Sequence, residues 1–536
     1  MVEIDLWKKY CSFYEKPFSE QLEYNKHRMK KYFEKWKETD LAKMLCKSDV
    51  QSHRDVLVTT YNDYSMLAEF GQKMTEVVEK NPRGPNELLG NYYLRVSRQA
   101  GAFLDRYMVE PFEFCAKTTG TTGLSKWIAN GRTLRENFDK MVMATILVSC
   151  SDSWGETKLK AGDTALNLTA PVPYTSGWGT LITRNYFNLV PPLEVTDNLT
   201  DMKKKFYLML RLIEKGKKLD VAGGVGSMFY MICKYFVDPE EFYQEYYQSM
   251  SFGLKKILLM LKLMQCKLSG KQKKAITDYM PLKGIVVGGM DTQLYIEFFK
   301  REFNLVPLHA YGATEAGNLM KGDPDRKTDL IPNLITSYLE FQTEDGEIKD
   351  LDELKKGETY NLIITPFGSI IFRYSMDDYF RVIDFRDDGM PVFSFEGRKQ
   401  DIIDVYGYYR VTPQMIVQVL VKAGLKSSDK WAVAKLLKPK ERLCFLMEKV
   451  WPYSEEKAEK IIFEALKDTV GDFRKYVTDF NIKDPSEAIK VEYLRPGAFL
   501  RYSAIKAKMG VPMGQYKPPQ LIPPDRMEVY ETLRSA

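Results

Sequence analysis

Between Ser337 and Tyr374 the chain reads as β-strands joined by tight turns, and no other feature limits the fold so firmly. Ser337-Tyr-Leu-Glu-Phe-Gln, Tyr360-Asn-Leu-Ile-Ile-Thr and Ile370-Ile-Phe-Arg-Tyr are rich in β-branched and aromatic residues, and Asp345-Gly346 is a turn signal. The flanking sequence is patterned differently. Residues 1 to about 110 read as mostly helical. From about 111 to 320 short apolar strands alternate with amphipathic helices, one strand being Gly284-Ile-Val-Val running into Gly288-Gly289. Beyond Arg398 the αβ pattern returns, with strands expected at 430–437 and 442–447 and a helix at 455–466.

A chain of 536 residues is too long for one core. The expectation is an α/β protein: a large multi-layer N-terminal domain, 1–398, with a β-rich subdomain, and a small α/β C-terminal domain, 399–536. Charge is nearly balanced, with 78 basic and 72 acidic residues, so nothing argues for nucleic acid. The basic runs Lys203 to Lys205 and Lys271 to Lys274 read as solvated helix faces. Seven cysteines with no Cys-x-x-Cys spacing suit free thiols in a reducing compartment. The N-terminus lacks the apolar stretch of a signal peptide, and the longest apolar run, 141–150, reads as a buried helix. Together these predict a cytoplasmic protein with no membrane segment. Only three histidines are present, and Gly-x-Ser-x-Gly and His-Glu-x-x-His are absent, which argues against triad hydrolases and zinc enzymes.

Three stretches carry candidate chemistry. Lys117-Thr-Thr-Gly-Thr-Thr-Gly-Leu-Ser-Lys126 offers backbone freedom at Gly120 and Gly123, hydroxyls at Thr118, Thr119, Thr121 and Thr122, and the charge of Lys126. With a capping-box pattern at Thr133 and Glu136 after it, it reads as a phosphate-binding loop feeding a helix. A polar surface turn is the equal alternative from these residues alone. In Ala310-Tyr-Gly-Ala-Thr-Glu-Ala-Gly317, Tyr311 could stack on a purine beside Gly312, Thr314 could bond a phosphate, and Glu315 could hold Mg²⁺. A loop closing a strand is as good a reading. In the third, Arg373-Tyr-Ser-Met-Asp-Asp378 followed by Phe395-Glu-Gly-Arg-Lys-Gln-Asp401 and Val405-Tyr-Gly-Tyr-Tyr-Arg410, Asp378 could accept ribose hydroxyls and Arg398 could reach the ribose or phosphates; an acidic turn and a bulge arginine are the plain readings.

In order and spacing the three stretches resemble the signature blocks of the adenylate-forming superfamily, which includes acyl-CoA synthetases, peptide-synthetase adenylation domains and luciferases. Gly288-Gly289 falls where that superfamily has a turn beside the adenine. The second half resembles more narrowly the plant auxin- and jasmonate-conjugating amido synthetases, through residues 351–365, Phe372-Arg-Tyr, Pro391-Val-Phe-Ser-Phe-Glu-Gly-Arg398, Pro496-Gly-Ala-Phe499 and Gly514-Gln-Tyr-Lys-Pro518. Lys517 matches that family's lysine from the small domain, which would meet the carboxylate and the α-phosphate.

The resemblance implies activation of a small carboxylic acid by ATP and Mg²⁺ as an acyl-adenylate, then transfer to an amine such as that of an amino acid. Three features depart from it. The loop reads Gly-Thr-Thr-Gly-Leu-Ser-Lys, nearer the CoA-ligase branch. Asp377 stands where a glycine normally precedes the ribose aspartate. Gln400 stands at the hinge. CoA or a carrier-protein thiol is therefore the alternative acceptor, and a non-catalytic nucleotide- or acyl-binding protein the third reading. His309 could line the acyl pocket or assist a nucleophile; a satisfied core histidine is the plainer reading. Tyr174-Thr-Ser-Gly-Trp-Gly179 and Gly223-Gly-Val-Gly-Ser-Met-Phe229 could wall an acyl pocket or simply be strand-to-helix turns.

Overall fold

The structure is a computed structural model. It describes residues 5–46, 49–118, 126–197, 199, 202–240, 242–243, 259–261, 263–264, 275–289, 292–398, 401–406, 409–425, 430–448, 451–508 and 520–536. The chain is α/β, as its pattern predicts, and forms two compact units. The first comprises Met1–Val225, Thr277–Gly289 and Phe299–Ser394; the second gathers Gly226–Ile276, Met290–Phe298 and Phe395–Ala536.

The first unit holds three sheets. A hairpin pairs β1 (Phe112–Lys117) with β2 (Trp127–Gly131). A seven-stranded sheet has the order β4-β3-β5-β6-β7-β8-β9. Its strands are β3 (Thr164–Leu166), β4 (Asn188–Val190), β5 (Val221–Val225), β6 (Gly284–Gly288), β7 (Leu308–Ala313), β8 (Gly317–Lys321) and β9 (Ile331–Pro332). The run from β4 to β7 is parallel, and β8 and β9 turn antiparallel. Strands buried on both faces need no polar alternation, which is why Gly284-Ile-Val-Val reads as a short apolar run.

The third sheet has the order β11-β10-β12-β13-β14. It contains β10 (Ser337–Gln342), β11 (Ile348–Lys349), β12 (Thr359–Pro366), β13 (Tyr374–Phe385) and β14 (Pro391–Arg398), the last of which is counted with the second unit from Phe395 on. The expected strands at 337 and 360 form as predicted, and Gly346 (φ 89) makes the turn. Ile370 to Arg373 do not join the ladder; the strand starts at Tyr374. The cause is Arg373, left-handed at φ 45 and pulled inward by a buried ion pair with Glu340. Ile370, Ile371 and Phe372 stay buried as irregular chain, with Phe372 N–H bonded to the Tyr64 hydroxyl at 2.9 Å.

The helical N-terminal region is tied to strand ends and connections of these sheets by long-range hydrogen bonds. On the Phe18–Trp36 helix, Asn25 Nδ2 donates to the carbonyls of Leu334 (2.7 Å) and Ser337 (3.0 Å). Phe18 N–H donates to Asp388 Oδ2 at 3.0 Å, and the Tyr14 hydroxyl to Asn333 Oδ1 at 3.2 Å. The apolar run at 141–150 lies in the Arg132–Ser149 helix, whose Leu134, Phe138, Met141 and Val148 are buried together. Lys205 corrects an expectation. It is 4% exposed rather than solvated, because its ammonium bonds Asn167 Oδ1 (3.1 Å) and the Thr169 carbonyl (2.9 Å).

In the second unit a four-stranded sheet has the order β19-β18-β17-β20, built from β17 (Trp431–Leu436), β18 (Arg442–Glu448), β19 (Ile489–Leu494) and β20 (Leu521–Ile522). Alternate residues feed separate cores. Val433, Phe445 and Met447 join one cluster, which includes Ile462 and Leu466 of the Glu455–Thr469 helix. Ala432, Ala434, Cys444 and Leu446 join the other. A small hairpin pairs β15 (Ile403–Val405) with β16 (Tyr409–Val411).

Candidate active site

The segment from 118 to 126 closes the β1–β2 hairpin. Thr118 N–H donates to the Lys126 carbonyl at 2.9 Å, and Lys126 N–H to Thr118 Oγ1 at 2.8 Å. Thr119, Gly120, Thr121, Thr122 and Gly123 lie outside the described residues. The loop therefore leads into a strand rather than a helix, and the helix starts only at Arg132. Thr133 is not its cap. Gly131 is, and Thr133 instead gives its N–H (2.7 Å) and hydroxyl (2.6 Å) to the Glu110 carboxylate, while Glu136 pairs with Arg132.

The second stretch forms the β7–β8 hairpin. Tyr311 and Gly312 lie on β7, and Thr314 and Glu315 lie in the turn that follows. Gly317 reopens the chain at φ 77, where a side chain would be strained and its Cβ would lie 2.4 Å from Phe138 Cδ2. The Thr314 carbonyl accepts a long hydrogen bond, 3.5 Å, from Thr175 Oγ1 at the start of the Thr175–Thr183 helix. Pro173, just before it, accepts from Lys117 N–H at 3.1 Å. The hairpin neck and the Thr314 turn are thus both tied to residues 173–175.

Tyr61 lies against Lys126. The Lys126 ammonium sits 4.9 Å from the centre of the Tyr61 ring, and Trp127 N–H donates to the Tyr61 hydroxyl at 3.2 Å. Burial first, and then the charge of Glu315, push the Tyr61 and Tyr374 hydroxyls above their ordinary range. Tyr374 lies beside Thr59 in a β-bridge, which brings the 59–61 segment to the head of β13.

Asp378 sits on β13, 1% exposed. Where β12 runs from Asn361 to Ile363, β13 runs from Tyr379 back to Ser375, so β13 bulges. Asp377 makes the bulge in the left-handed region at φ 52. That conformation explains the glycine expected there, and aspartate is among the few other residues that tolerate it. The Tyr311 hydroxyl donates to Asp378 Oδ2, and its ring meets Phe380 edge to face at 4.8 Å.

Gly288 ends β6, and Gly289 follows at φ 123. The His309 side chain bonds the backbone of Gly289 and of Thr328, and burial pulls its pKa down to about 4. Trp178 belongs to the core rather than to a pocket wall. It is buried, donates to the Cys115 carbonyl at 3.0 Å and packs on Phe114. Gly223 lies within β5, and the Gly226–Val237 helix follows it as a strand-to-helix turn.

In the second unit Arg398 ends β14, after Gly397 at φ 122, and Arg526 pairs with Asp401 at 3.1 Å. Lys517 and Gln400 lie outside the described residues. Among the described residues no group of three or more His, Cys, Asp or Glu could hold a metal ion. Glu315 as a single carboxylate fits Mg²⁺ only in the manner of ions completed by substrate phosphates and water. Tyr61 and Tyr374 were not evident from the sequence. Each stands outside any phosphate- or metal-binding pattern, and only long-range pairing brings Tyr61 to Lys126 and Tyr374 to Thr59.

Residues 330–399 match the GH3 family central domain. No curated protein matches the chain by sequence. In structure it is similar to the GH3.15 acyl acid amido synthetase, at TM-score 0.64 and 16% identity, over 95% of this chain and 92% of that one. The same synthetase in complex with 2,4-DB gives TM-score 0.62. A 2-hydroxyisobutyryl-CoA ligase in its postadenylation state, complexed with 2-HIB-AMP, gives TM-score 0.50 at 11% identity, over 88% and 89% of the two chains.

Proposed function

We propose that this chain, which has the fold of the GH3 acyl acid amido synthetases and a GH3 central domain over residues 330–399, activates a carboxylic acid with ATP and passes the acyl group to an amine. One observation carries the reading. Tyr311, Thr314 and Glu315 share one hairpin, Asp378 is bonded to its tyrosine, and Tyr61 lies against Lys126.

In the first step a carboxylate oxygen attacks the α-phosphorus of ATP, the bond to pyrophosphate breaks, and an acyl-adenylate forms. Two anions must approach, so the protein has to neutralise charge and fix geometry. Lys126 supplies positive charge, and Glu315 would hold Mg²⁺ together with phosphate oxygens. Asp378 takes the ribose, Tyr311 lies against the adenine, and Gly288-Gly289 border it. Arg398 and Lys517 keep the roles that the resemblance gives them, and 1–398 against 399–536 is the functional division. No general base is required for this step.

In the second step the amine nitrogen attacks the acyl carbon, AMP leaves and an amide forms. No helix among the described residues is long and apolar enough to cross a membrane, and we place the reaction in the cytoplasm. The test is pyrophosphate exchange with a panel of carboxylic acids. Exchange that depends on one acid class and is lost in Lys126→Ala supports the reading; absence of exchange with every acid defeats it. AMP release stimulated by CoA and not by amino acids would replace the amine with a thiol acceptor.

A further inference from the structure

The carboxylate assigned to the ribose already has a donor within the protein. The Tyr311 hydroxyl donates to Asp378 Oδ2. Asp378 is 1% exposed and is set by a bulge whose apex, Asp377, is left-handed, so its carboxylate has little room to move. The Tyr311 ring is braced against the buried Phe380 at 4.8 Å. An ionised carboxylate only accepts, while a phenol and a ribose hydroxyl can both donate to it. A ribose hydroxyl that reaches Oδ2 therefore competes with the Tyr311 hydroxyl for that oxygen.

We propose that Tyr311 sets how strongly the site discriminates nucleotides by their ribose hydroxyls, because its own hydroxyl holds Asp378 until a ribose displaces it. The inference rests on the assignment of Asp378 to the ribose. Ribose binding is then an exchange of donors, and an exchange of equivalent hydrogen bonds leaves a small net gain. Removing the phenol oxygen changes the balance. Asp378 then has one donor fewer in the free protein, and the ribose hydroxyls restore it.

The experiment measures Kd for ATP and for 2′,3′-dideoxyATP by calorimetry on the full chain, with thermal unfolding as the check on folding. In Tyr311→Phe the ratio of dideoxyATP to ATP dissociation constants should rise roughly tenfold over wild type. Tyr311→Leu, which also lacks the hydroxyl, should move the ratio in the same direction. In an Asp378→Asn background, Tyr311→Phe should leave it unchanged. A ratio that is unchanged or lower in both Tyr311 variants, with wild type binding ATP, overturns this inference alone. Wild type binding neither nucleotide overturns the functional reading and this inference with it.

Discussion

Arg373 and Glu340 form an ion pair with almost no water contact: Nε and Nη2 of the arginine each lie 2.9 Å from a glutamate oxygen, and the two side chains are 3% and 1% exposed. The same guanidinium donates to the carbonyls of Arg54 (3.0 Å) and Val56. One side chain therefore ties the N-terminal segment to the central sheet. Burying both charges costs desolvation energy, but removing one strands the other. Arg373→Met should lower stability by about 3–5 kcal/mol, and Arg373→Met with Glu340→Leu should recover part of it. Urea denaturation of the single and double variants checks both. A double variant less stable than the sum of the singles would contradict the account.

At Asp377 the backbone conformation sets the outcome. Asp377→Val places a β-branched residue at φ 52 and should cost about 1–2 kcal/mol, whereas Asp377→Gly should stay within about 1 kcal/mol of wild type. Thermal unfolding separates the two, and a valine variant as stable as wild type would be incompatible with a left-handed residue there.

His309 gives stability a pH dependence of known sign. Burial depresses its pKa in the folded chain to about 4, below the value of about 6.5 of an unfolded one. Between these values the unfolded chain binds the proton and the folded chain does not, so stability falls as the pH drops from 6.5 toward 4. The loss is on the order of 3 kcal/mol over that window and is absent above it. In His309→Gln the slope of unfolding free energy against pH between 4 and 6.5 should flatten. A slope equal to that of wild type would assign the acid sensitivity elsewhere.

Tyr61 supports Lys126 in two separable ways, through its ring and through its hydroxyl at Trp127. Tyr61→Phe keeps the ring and Tyr61→Leu removes both. Pyrophosphate exchange should fall several-fold in the leucine variant, roughly the worth of an exposed cation–π contact plus a hydrogen bond, and less in phenylalanine. Lys126→Ala should lose about 10²–10³-fold. Equal activity in Tyr61→Leu and wild type would remove Tyr61 from the site.

Local patterning made much of this fold legible. The strands at 337, 360, 431 and 442 and the helix at 455 stand where apolar runs, turn signals and periodicity put them. What could not be read depends on partners far away in sequence. Arg373 leaves the strand pattern because Glu340 and the 54–56 carbonyls hold it. Thr133 fails as a cap because Glu110 claims it, and Lys205 is buried because Asn167 and Thr169 satisfy it. The site follows the same division. Tyr311 and Glu315 stood out by motif, while the Tyr61–Lys126 contact and the Tyr311–Asp378 bond exist only in three dimensions.

The long-range hydrogen bonds of the Phe18–Trp36 helix carry a consequence for the order in which the protein can be made. Asn25 finds its acceptors 309 and 312 residues downstream, and Phe18 finds Asp388 370 residues downstream. On a ribosome the first helices emerge long before the strands that receive them have been translated. Met29, Phe33 and Trp36, all buried in the finished fold, face solvent or a chaperone throughout that interval. A nascent chain halted before residue 334 carries this amphipathic helix without Leu334, Ser337, Phe372 and Asp388, which hold it in the finished fold.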